Sequence, residues 1–403
     1  MPSRDLSAEL QEVKDLLVEA ITGTAGLVEA LHSTINTLGG VLGQPGRTHG
    51  LTRLVYKSIT GITGLVSSGI DATLKLFGPV LSEAAPSPTR QALVAALNGV
   101  LGDRLAERRS PFAIPMEIRL RGQALSGEAL AEALNGSTNR AVLLVHGAAA
   151  GDLQWRRRGH DHGAALAEDL GTVPLYVSYN SGLHVSENGR ALAHLLEELT
   201  HALDDTFELS ILGHSMGGLV ARGACYYGSL SGHGWLTRVK NLVFMGTPHH
   251  GALLERGGNL LDVLLEVSPY SAPFSRLGKL RSSGITDLRY GNIVDEDWRD
   301  VDRFTPTGDH RTNVSLPENS RCYAMAATTG KQPGKLNDNL IGDGLVTLKS
   351  ALGLHKYPER NLMVPVENRW IGRSMGHLDL LSHPEVYRQL KTWLTPLQPD
   401  ESC

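Results

Sequence analysis

The sequence predicts an α/β fold in which a mostly parallel sheet is covered by helices on both faces. Two observations support this prediction. Between residues 140 and 246, short apolar runs alternate with longer segments of helical periodicity, which is the pattern of consecutive βαβ units. The apolar runs are continuous, as expected for parallel strands that are buried on both faces. Right-handed crossovers would bring the carboxyl ends of these strands to one edge of the sheet.

The predicted strands and helices begin with a helix that precedes the sheet in the chain and finish with a helix that follows its last strand. Between residues 252 and 320 the alternation stops, which predicts a lid-like insertion over the functional site. Ser382 and Glu385 predict a capping box at the start of the last helix. The predicted strands are 116–125, 140–147, 173–179, 207–214, 241–246, 322–329 and 361–371, and the predicted helices are 91–108, 163–170, 185–203, 216–227 and 384–394.

An N-terminal helical region is predicted to precede the α/β domain. Apolar residues recur at helical spacing over 6–42 and again over 51–81, which indicates an amphipathic hairpin. A Pro- and Ser-containing segment at 83–89 resembles a linker and leads into the helix at 91–108. We therefore divide the chain into an N-terminal helical region, 1–110, and an α/β domain, 111–403. The hairpin suits self-association or contact with a membrane surface.

Composition limits the partners of the protein. The chain has 403 residues and a net charge of −4, and its Lys and Arg residues are scattered, so no nucleic-acid partner is expected. Three cysteines at no metal-like spacing fit a reducing compartment. The first residues lack the pattern of a secretory signal, and no apolar stretch reaches the length of a membrane span. We expect a cytoplasmic location, with peripheral association at a membrane left open.

Ser215 is the predicted nucleophile. It ends an apolar run and lies between Gly213 and Gly217 in FELSILGHSMGG, residues 207–218. A serine can be exposed on a sharp strand-to-helix turn only if its neighbours at two positions on either side have almost no side chain. The same five-residue pattern recurs around Ser374, but too little chain follows that residue for an acid and a base. We interpret this second match as loop glycines beside a catalytic histidine.

The base and the acid are expected downstream of the serine. His377 lies in the loop between the last strand and the last helix, where this architecture provides its base. For the acid, Asp343 is the first choice because it lies in a tight loop between two glycines. The alternatives are Asp338, in a polar turn, and Asp379, two residues beyond the base.

Two backbone N–H groups are predicted to bind the developing oxyanion. Met216 N–H begins the helix after the serine, and Ala148 N–H lies in the loop after the strand at 140–147. The neighbouring residues His146, Gly147 and His214 are expected to support this arrangement. His160, Asp161 and His162 could suggest a metal, but a polar cluster at a helix start explains them better. The chemistry requires no cofactor, and no metal site is predicted.

The motifs LLVHG, GHSMGG, GTPHHGA, GDGLV and GHLDLL occur in an order that resembles the α/β-hydrolase superfamily. Within it, the chain resembles bacterial lipases and glycosylphosphatidylinositol inositol-deacylase-like esterases over residues 115–394. The resemblance implies a serine carboxylic-ester hydrolase that acts on an ester or lipid small molecule, with Ser215, Asp343 and His377 as its triad. An acyltransferase with the same triad, or a non-catalytic membrane-associated binding protein on a hydrolase fold, are the alternative functions.

Overall fold

The computed structural model describes residues 88–124, 127–134, 138–201, 203, 205–252, 282–299, 310–332 and 342–396. The predicted amphipathic hairpin, the first part of the insertion and Asp338 lie outside the described residues. The boundary between the two predicted regions at residue 110 remains a prediction.

One eight-stranded sheet forms the centre of the described part of the chain. Its spatial order is β2-β1-β4-β3-β5-β6-β7-β8. β1 pairs antiparallel with β2 and β4, and all other neighbours pair in parallel, so the predicted mostly parallel sheet is confirmed. The strands are β1 (Glu117–Leu120), β2 (Gln123–Ala124), β3 (Arg140–Val145), β4 (Val173–Ser178), β5 (Glu208–His214), β6 (Val239–Met245), β7 (Arg321–Thr328) and β8 (Arg369–Arg373).

Helices cover both faces of the sheet, as predicted. On β3, Leu143 and Val145 belong to one apolar cluster, whereas Val142 and Leu144 belong to the other, because successive strand residues point to opposite faces. The described helices are α1 (Pro88–Glu107), α2 (Gly127–Leu134), α3 (His162–Leu170), α4 (Val185–His201), α5 (Met216–Leu230), α6 (Ser283–Tyr290), α7 (Leu348–Ala351) and α8 (Pro384–Leu394). None of the helices in this described part is long and apolar enough to cross a membrane.

The strand order reverses its direction at β3. This strand pairs with β4 on one side and with β5 on the other, so the loops that follow β3 and β5 diverge at the carboxyl edge of the sheet. Ligand sites of open α/β sheets lie in the crevice at such a reversal. The loop with Ala148 and the turn with Ser215 are the two loops at this position.

α1 packs against one face of the sheet. Leu93, Leu97 and Leu101 are buried in the same apolar cluster as Leu143 and Val145 of β3. The helix therefore shares the hydrophobic core of the α/β domain, although the predicted division of the chain places it in the N-terminal region, 1–110.

Two local predictions near the C-terminus are wrong. The predicted strand 361–371 is a strand only from Arg369 onward, where β8 (Arg369–Arg373) begins. The residues before it are not, because Pro365 precedes a 3₁₀ turn at Val366–Asn368. The last helix is not capped by Ser382, which terminates the preceding 3₁₀ turn. Its cap is His383, whose Nδ1 accepts a hydrogen bond from Glu385 N–H at 3.2 Å.

Candidate active site

Ser215 lies on a strained turn between β5 and α5. Its backbone has φ 54° and ψ −123°, a conformation that costs a non-glycine residue about 1–3 kcal/mol. The turn is held by a 2.9 Å hydrogen bond from Ser215 N–H to the carbonyl of Met245. A Cβ added to Gly213 would lie 2.6 Å from Gly218 Cα, and one added to Gly217 would lie 2.2 Å from the carbonyl oxygen of Val145. Both positions therefore require glycine for packing.

Asp343 and His377 form a buried pair. His377 Nδ1 donates to Asp343 Oδ2 over 2.7 Å, since an ionised carboxylate can only accept. The other carboxylate oxygen of Asp343 accepts from Leu345 N–H at 3.0 Å and Val346 N–H at 2.8 Å. His377 N–H also donates to the carbonyl of Asp343 at 3.0 Å. The pair is thus fixed by both backbone and side-chain bonds. Because Nδ1 is engaged with Asp343, Nε2 is the ring nitrogen that remains to accept a proton.

His377 Nε2 is buried and has no hydrogen-bond partner among the described residues, Ser215 included. The imidazole lies at the carboxyl end of β6, where a Cβ added to Gly246 would lie 3.1 Å from His377 Cε1. Met245, the preceding residue, holds the serine turn through its carbonyl. The structure therefore brings the histidine and the serine to the same strand end without a hydrogen bond between them. Such bonds are often formed only when substrate is present.

Asp379, one alternative acid, is used elsewhere. Its Oδ2 accepts from Gly376 N–H at 2.8 Å, and its Oδ1 accepts from Arg158 Nη1 at 2.8 Å. It thereby caps the 3₁₀ turn that begins with His377. Ser374 of the second Gly-x-Ser-x-Gly match is exposed, in the loop after β8.

The loop after β3 approaches the serine closely. A Cβ added to Gly147 would lie 3.1 Å from Ser215 Cβ. Gly147 N–H donates to Gln154 Oε1 at 3.2 Å, and Ala149 N–H donates to Ser181 Oγ at 2.9 Å. Between them, Ala148 N–H has no partner in the part of the chain that the structure describes.

Met216 is the first residue of α5, so its N–H has no hydrogen-bond partner within the helix. This N–H lies at the positive end of the helix macrodipole. A carbonyl oxygen beside Ser215 could therefore accept from two N–H groups that the fold leaves available.

His146 and His214 are buried side chains whose pKa values are lowered by burial. His146 stacks on Tyr179 with ring centroids 4.1 Å apart, and burial lowers its pKa to about 4. The Tyr179 hydroxyl donates to the carbonyl of His146 at 2.7 Å. His214 Nε2 lies 3.3 Å from the carbonyl of His377, and burial lowers its pKa well below the usual value. Neither histidine is a charged competitor of His377 at neutral pH.

His160, Asp161 and His162 lie at the start of α3, and His162 contacts the 3₁₀ turn His377–Leu381. Asp161 caps α3 by accepting from Gly163 N–H and Ala164 N–H, which confirms the predicted helix-start cluster. His160 Nε2 and His162 Nδ1 are 2.8 Å apart, and His162 Nε2 donates to the carbonyl of Leu380 at 2.9 Å. Within the described residues, no group of three His, Cys, Asp or Glu side chains could hold a metal ion.

The sequence did not predict four residues that position this site. They are Gln154, Ser181, Gly246 and Arg158. Gln154 lies seven residues from its partner Gly147, whereas the other three contact loops that are distant from them in the chain. Only Gly246 has a sequence signal, since it is the last residue of the predicted strand 241–246.

Comparison with known proteins agrees with this architecture. Residues 137–319 match the model of the family described as PGAP1-like alpha/beta domain. No curated protein sequence matches the chain.

Several solved structures are similar. The mature lipase of Bacillus licheniformis is 18% identical over 64% of this chain and 92% of its own, with a TM-score of 0.39. Lipase B of Aspergillus fumigatus is 12% identical over 93% of this chain and 83% of its own, with a TM-score of 0.43. A lipase-esterase related protein from Clostridium acetobutylicum is 13% identical over 64% of this chain and 96% of its own, with a TM-score of 0.38. From its sheet topology and its family match, the chain has the α/β-hydrolase fold and resembles the PGAP1-like alpha/beta domain over residues 137–319.

Proposed function

We propose that the protein is a serine carboxylic-ester hydrolase that acts through an acyl-enzyme. The observation that supports this function best is the buried Asp343–His377 pair, whose free Nε2 lies at the same sheet edge as the strained Ser215 turn. A hydroxyl is a weak nucleophile, so it needs such an oriented base. Ser215, Asp343 and His377 are nucleophile, acid and base in this proposal.

In the acylation step, Ser215 Oγ forms a bond to the ester carbonyl carbon while its proton moves to His377 Nε2. The carbonyl oxygen becomes an oxyanion that accepts from Ala148 N–H and Met216 N–H. Collapse of this intermediate breaks the bond to the alcohol oxygen, which leaves with the proton from His377 Nε2. Asp343 stabilises the transient imidazolium through the 2.7 Å hydrogen bond at Nδ1.

Deacylation repeats these steps with water. His377 Nε2 removes a proton from a water molecule, the hydroxide oxygen bonds to the acyl carbon, and Ser215 Oγ leaves with the proton. The products are a carboxylic acid and free enzyme, and no cofactor takes part. The same two N–H groups stabilise the second oxyanion.

An ester or lipid small molecule is the proposed substrate. The predicted insertion contains the apolar segment LLDVLLEV at 260–267, which suits an acyl chain longer than acetate. Contact with a membrane surface through the N-terminal helices would fit such a substrate. A series of nitrophenyl esters of increasing acyl length tests this preference, and a maximum at acetate would contradict it.

Ser215→Ala tests the proposed function, with Ser374→Ala as its matched control. Both variants remove a hydroxyl from a Gly-x-Ser-x-Gly match. We expect Ser215→Ala to lose about 10⁴-fold or more of kcat and all labelling by a fluorophosphonate, because nothing replaces the nucleophile. Ser374→Ala should retain both. Ester hydrolysis that survives in Ser215→Ala would exclude this mechanism.

The acyltransferase alternative shares the acyl-enzyme and differs in what attacks it. Adding a short alcohol to the assay and measuring new ester against free acid distinguishes the two. Acid should dominate at low alcohol concentration if water is the natural acceptor.

A further inference from the structure

α1 contacts the loop after β3 at a point where no side chain separates the two backbones. A Cβ added to Gly99 would lie 2.5 Å from Ala149 Cβ and 2.7 Å from Ala149 Cα. Real Cβ atoms essentially never approach other atoms within 3.0 Å, and both contacts involve atoms on or next to the backbone. The helix and the loop can therefore keep this spacing only with glycine at position 99.

Ala149 is a constrained residue. Its φ is 54°, which is unfavourable for alanine, and its side chain is buried. Its N–H is held by Ser181 Oγ at 2.9 Å. Because Ala149 directly follows Ala148, a displacement of one moves the N–H of the other.

α1 also contacts the loop that provides Ser181. Asn180 Nδ2 donates to the carbonyl of Gly102 at 2.8 Å, and a Cβ added to Gly182 would lie 2.2 Å from the carbonyl oxygen of Asn98. The residues on either side of Ser181 are thus fixed against the same helix. The direct contact through Gly99 and the indirect contact through Ser181 both restrain Ala149.

We infer that α1 is a positioning element for the oxyanion site and that Gly99 sets the position of Ala148 N–H relative to Ser215. This inference rests on the proposed function, since it assigns a role to a helix that does not touch the substrate. An oxyanion donor is effective only at hydrogen-bond distance from the developing charge, and misplacement by about 1 Å can cost 10²-fold in rate. A small shift of the loop should therefore lower the rate of the chemical step.

The test compares Gly99→Ala with the double variant Gly99→Ala/Ala149→Gly. We expect Gly99→Ala to lower kcat by about tenfold or more while KM stays within about twofold, because the lost interaction is made in the transition state. Ala149→Gly removes the Cβ that would lie 2.5 Å from the new methyl group, and glycine tolerates a φ of 54°. The contact with the Cα of residue 149 at 2.7 Å remains. The double variant should therefore recover part of the lost kcat but remain below wild type.

Gly228→Ala is the control for general loss of packing. Its new Cβ would lie 3.1 Å from the Trp235 ring, at the far end of α5, so some stability is lost but kcat should not change. Unchanged kcat in Gly99→Ala, or a double variant that is no faster than Gly99→Ala, would overturn the inference. If Gly99→Ala does not fold, Ser181→Ala replaces it. That variant deletes the hydroxyl that holds Ala149 N–H, and unchanged kcat there would likewise overturn the inference.

Ser215→Ala is measured in the same series. Activity that survives Ser215→Ala removes the proposed function itself. Activity that is lost in Ser215→Ala but retained in Gly99→Ala removes only the role of α1.

Discussion

His184 donates a hydrogen bond from Nδ1 to Asp287 Oδ2 over 2.9 Å, the same arrangement that joins His377 to Asp343 over 2.7 Å. The two pairs differ in their surroundings. His184 is partly exposed, at 17% for its side chain, and stacks on Trp298 with ring centroids 3.7 Å apart. His377 is buried beside the serine turn. The pair at 184 and 287 therefore ties the loop after β4 to α6 of the predicted insertion.

Asp287→Asn should destabilise the protein by about 2–4 kcal/mol. The carboxylate is buried and accepts from His184 Nδ1, Val185 N–H and Asn292 Nδ2, and an amide would turn a donor toward these donors. Urea unfolding measures the loss. Asp205→Asn, at an exposed surface ion pair, should not change the unfolding midpoint. A loss below about 1 kcal/mol for Asp287→Asn would mean that this pair does not stabilise the contact between the loop after β4 and α6.

Asp343→Asn should lower kcat by about 10³- to 10⁴-fold without loss of folding. An asparagine can donate to Nδ1, which favours the tautomer with its proton on Nε2 and removes the acceptor that Ser215 needs. Asp379→Asn tests the alternative acid. It weakens a cap on Gly376 N–H and an ion pair to Arg158, so we expect a loss of less than about tenfold. Steady-state kinetics on one ester decides, and the opposite order of losses would make Asp379 the acid.

Gly246→Ala should lower kcat by about tenfold or more because its methyl group would meet His377 Cε1 at 3.1 Å and Leu380 Cδ1 at 2.8 Å. Gly246 also has φ 61°, so some strain is expected from alanine at any such position. Gly232→Ala controls for that strain, since Gly232 has φ 66° and open space around it. It should lose similar stability and keep kcat. Equal kcat in both variants would show that the imidazole tolerates the methyl group.

Acidification should destabilise the protein partly through His162. Burial lowers the pKa of His162 from 6.5 to about 4, so the unfolded chain binds a proton between these values that the folded protein does not. Stability is thus fully present above pH 6.5 and falls as the pH drops toward 4. The share of His162 between pH 7.5 and 5.5 is about 1.4 kcal/mol, from one pKa unit at about 1.36 kcal/mol.

His162→Phe should flatten the pH dependence of urea unfolding by that amount, even though the loss of the bond to Leu380 lowers stability at every pH. His201→Phe, at the exposed end of α4, should keep the wild-type slope. An unchanged slope in His162→Phe would mean that its imidazole titrates alike in both states.

The sheet could be predicted because its central strands are short apolar runs and its crossovers are amphipathic helices. The contact between Asp343 and His377 could also be predicted, since both residues follow strands whose carboxyl ends meet at one edge. Their catalytic roles remain proposals. The predicted strand at 361–371 fails because an apolar run alone does not reveal a turn at Pro365.

The positioning contacts could not be predicted. Ser181 and Ala149, or Arg158 and Asp379, are far apart in the chain and share no periodic pattern. Such contacts depend on how the loops at the sheet edge pack. Helix α2, only eight residues long, was likewise missed because it is too short to show clear periodicity.

The contacts of α1 have a consequence for synthesis. Ser282 Oγ donates to the carbonyl of Gly99, and these residues are 183 positions apart. At about 5–20 residues per second, a ribosome needs roughly 10–40 s to add that length. During this interval, α1 of the nascent chain lacks its contact with Ser282. The contacts that restrain the loop at Ala149 are therefore completed only after Ser282 has been synthesised, later than the turn with Ser215.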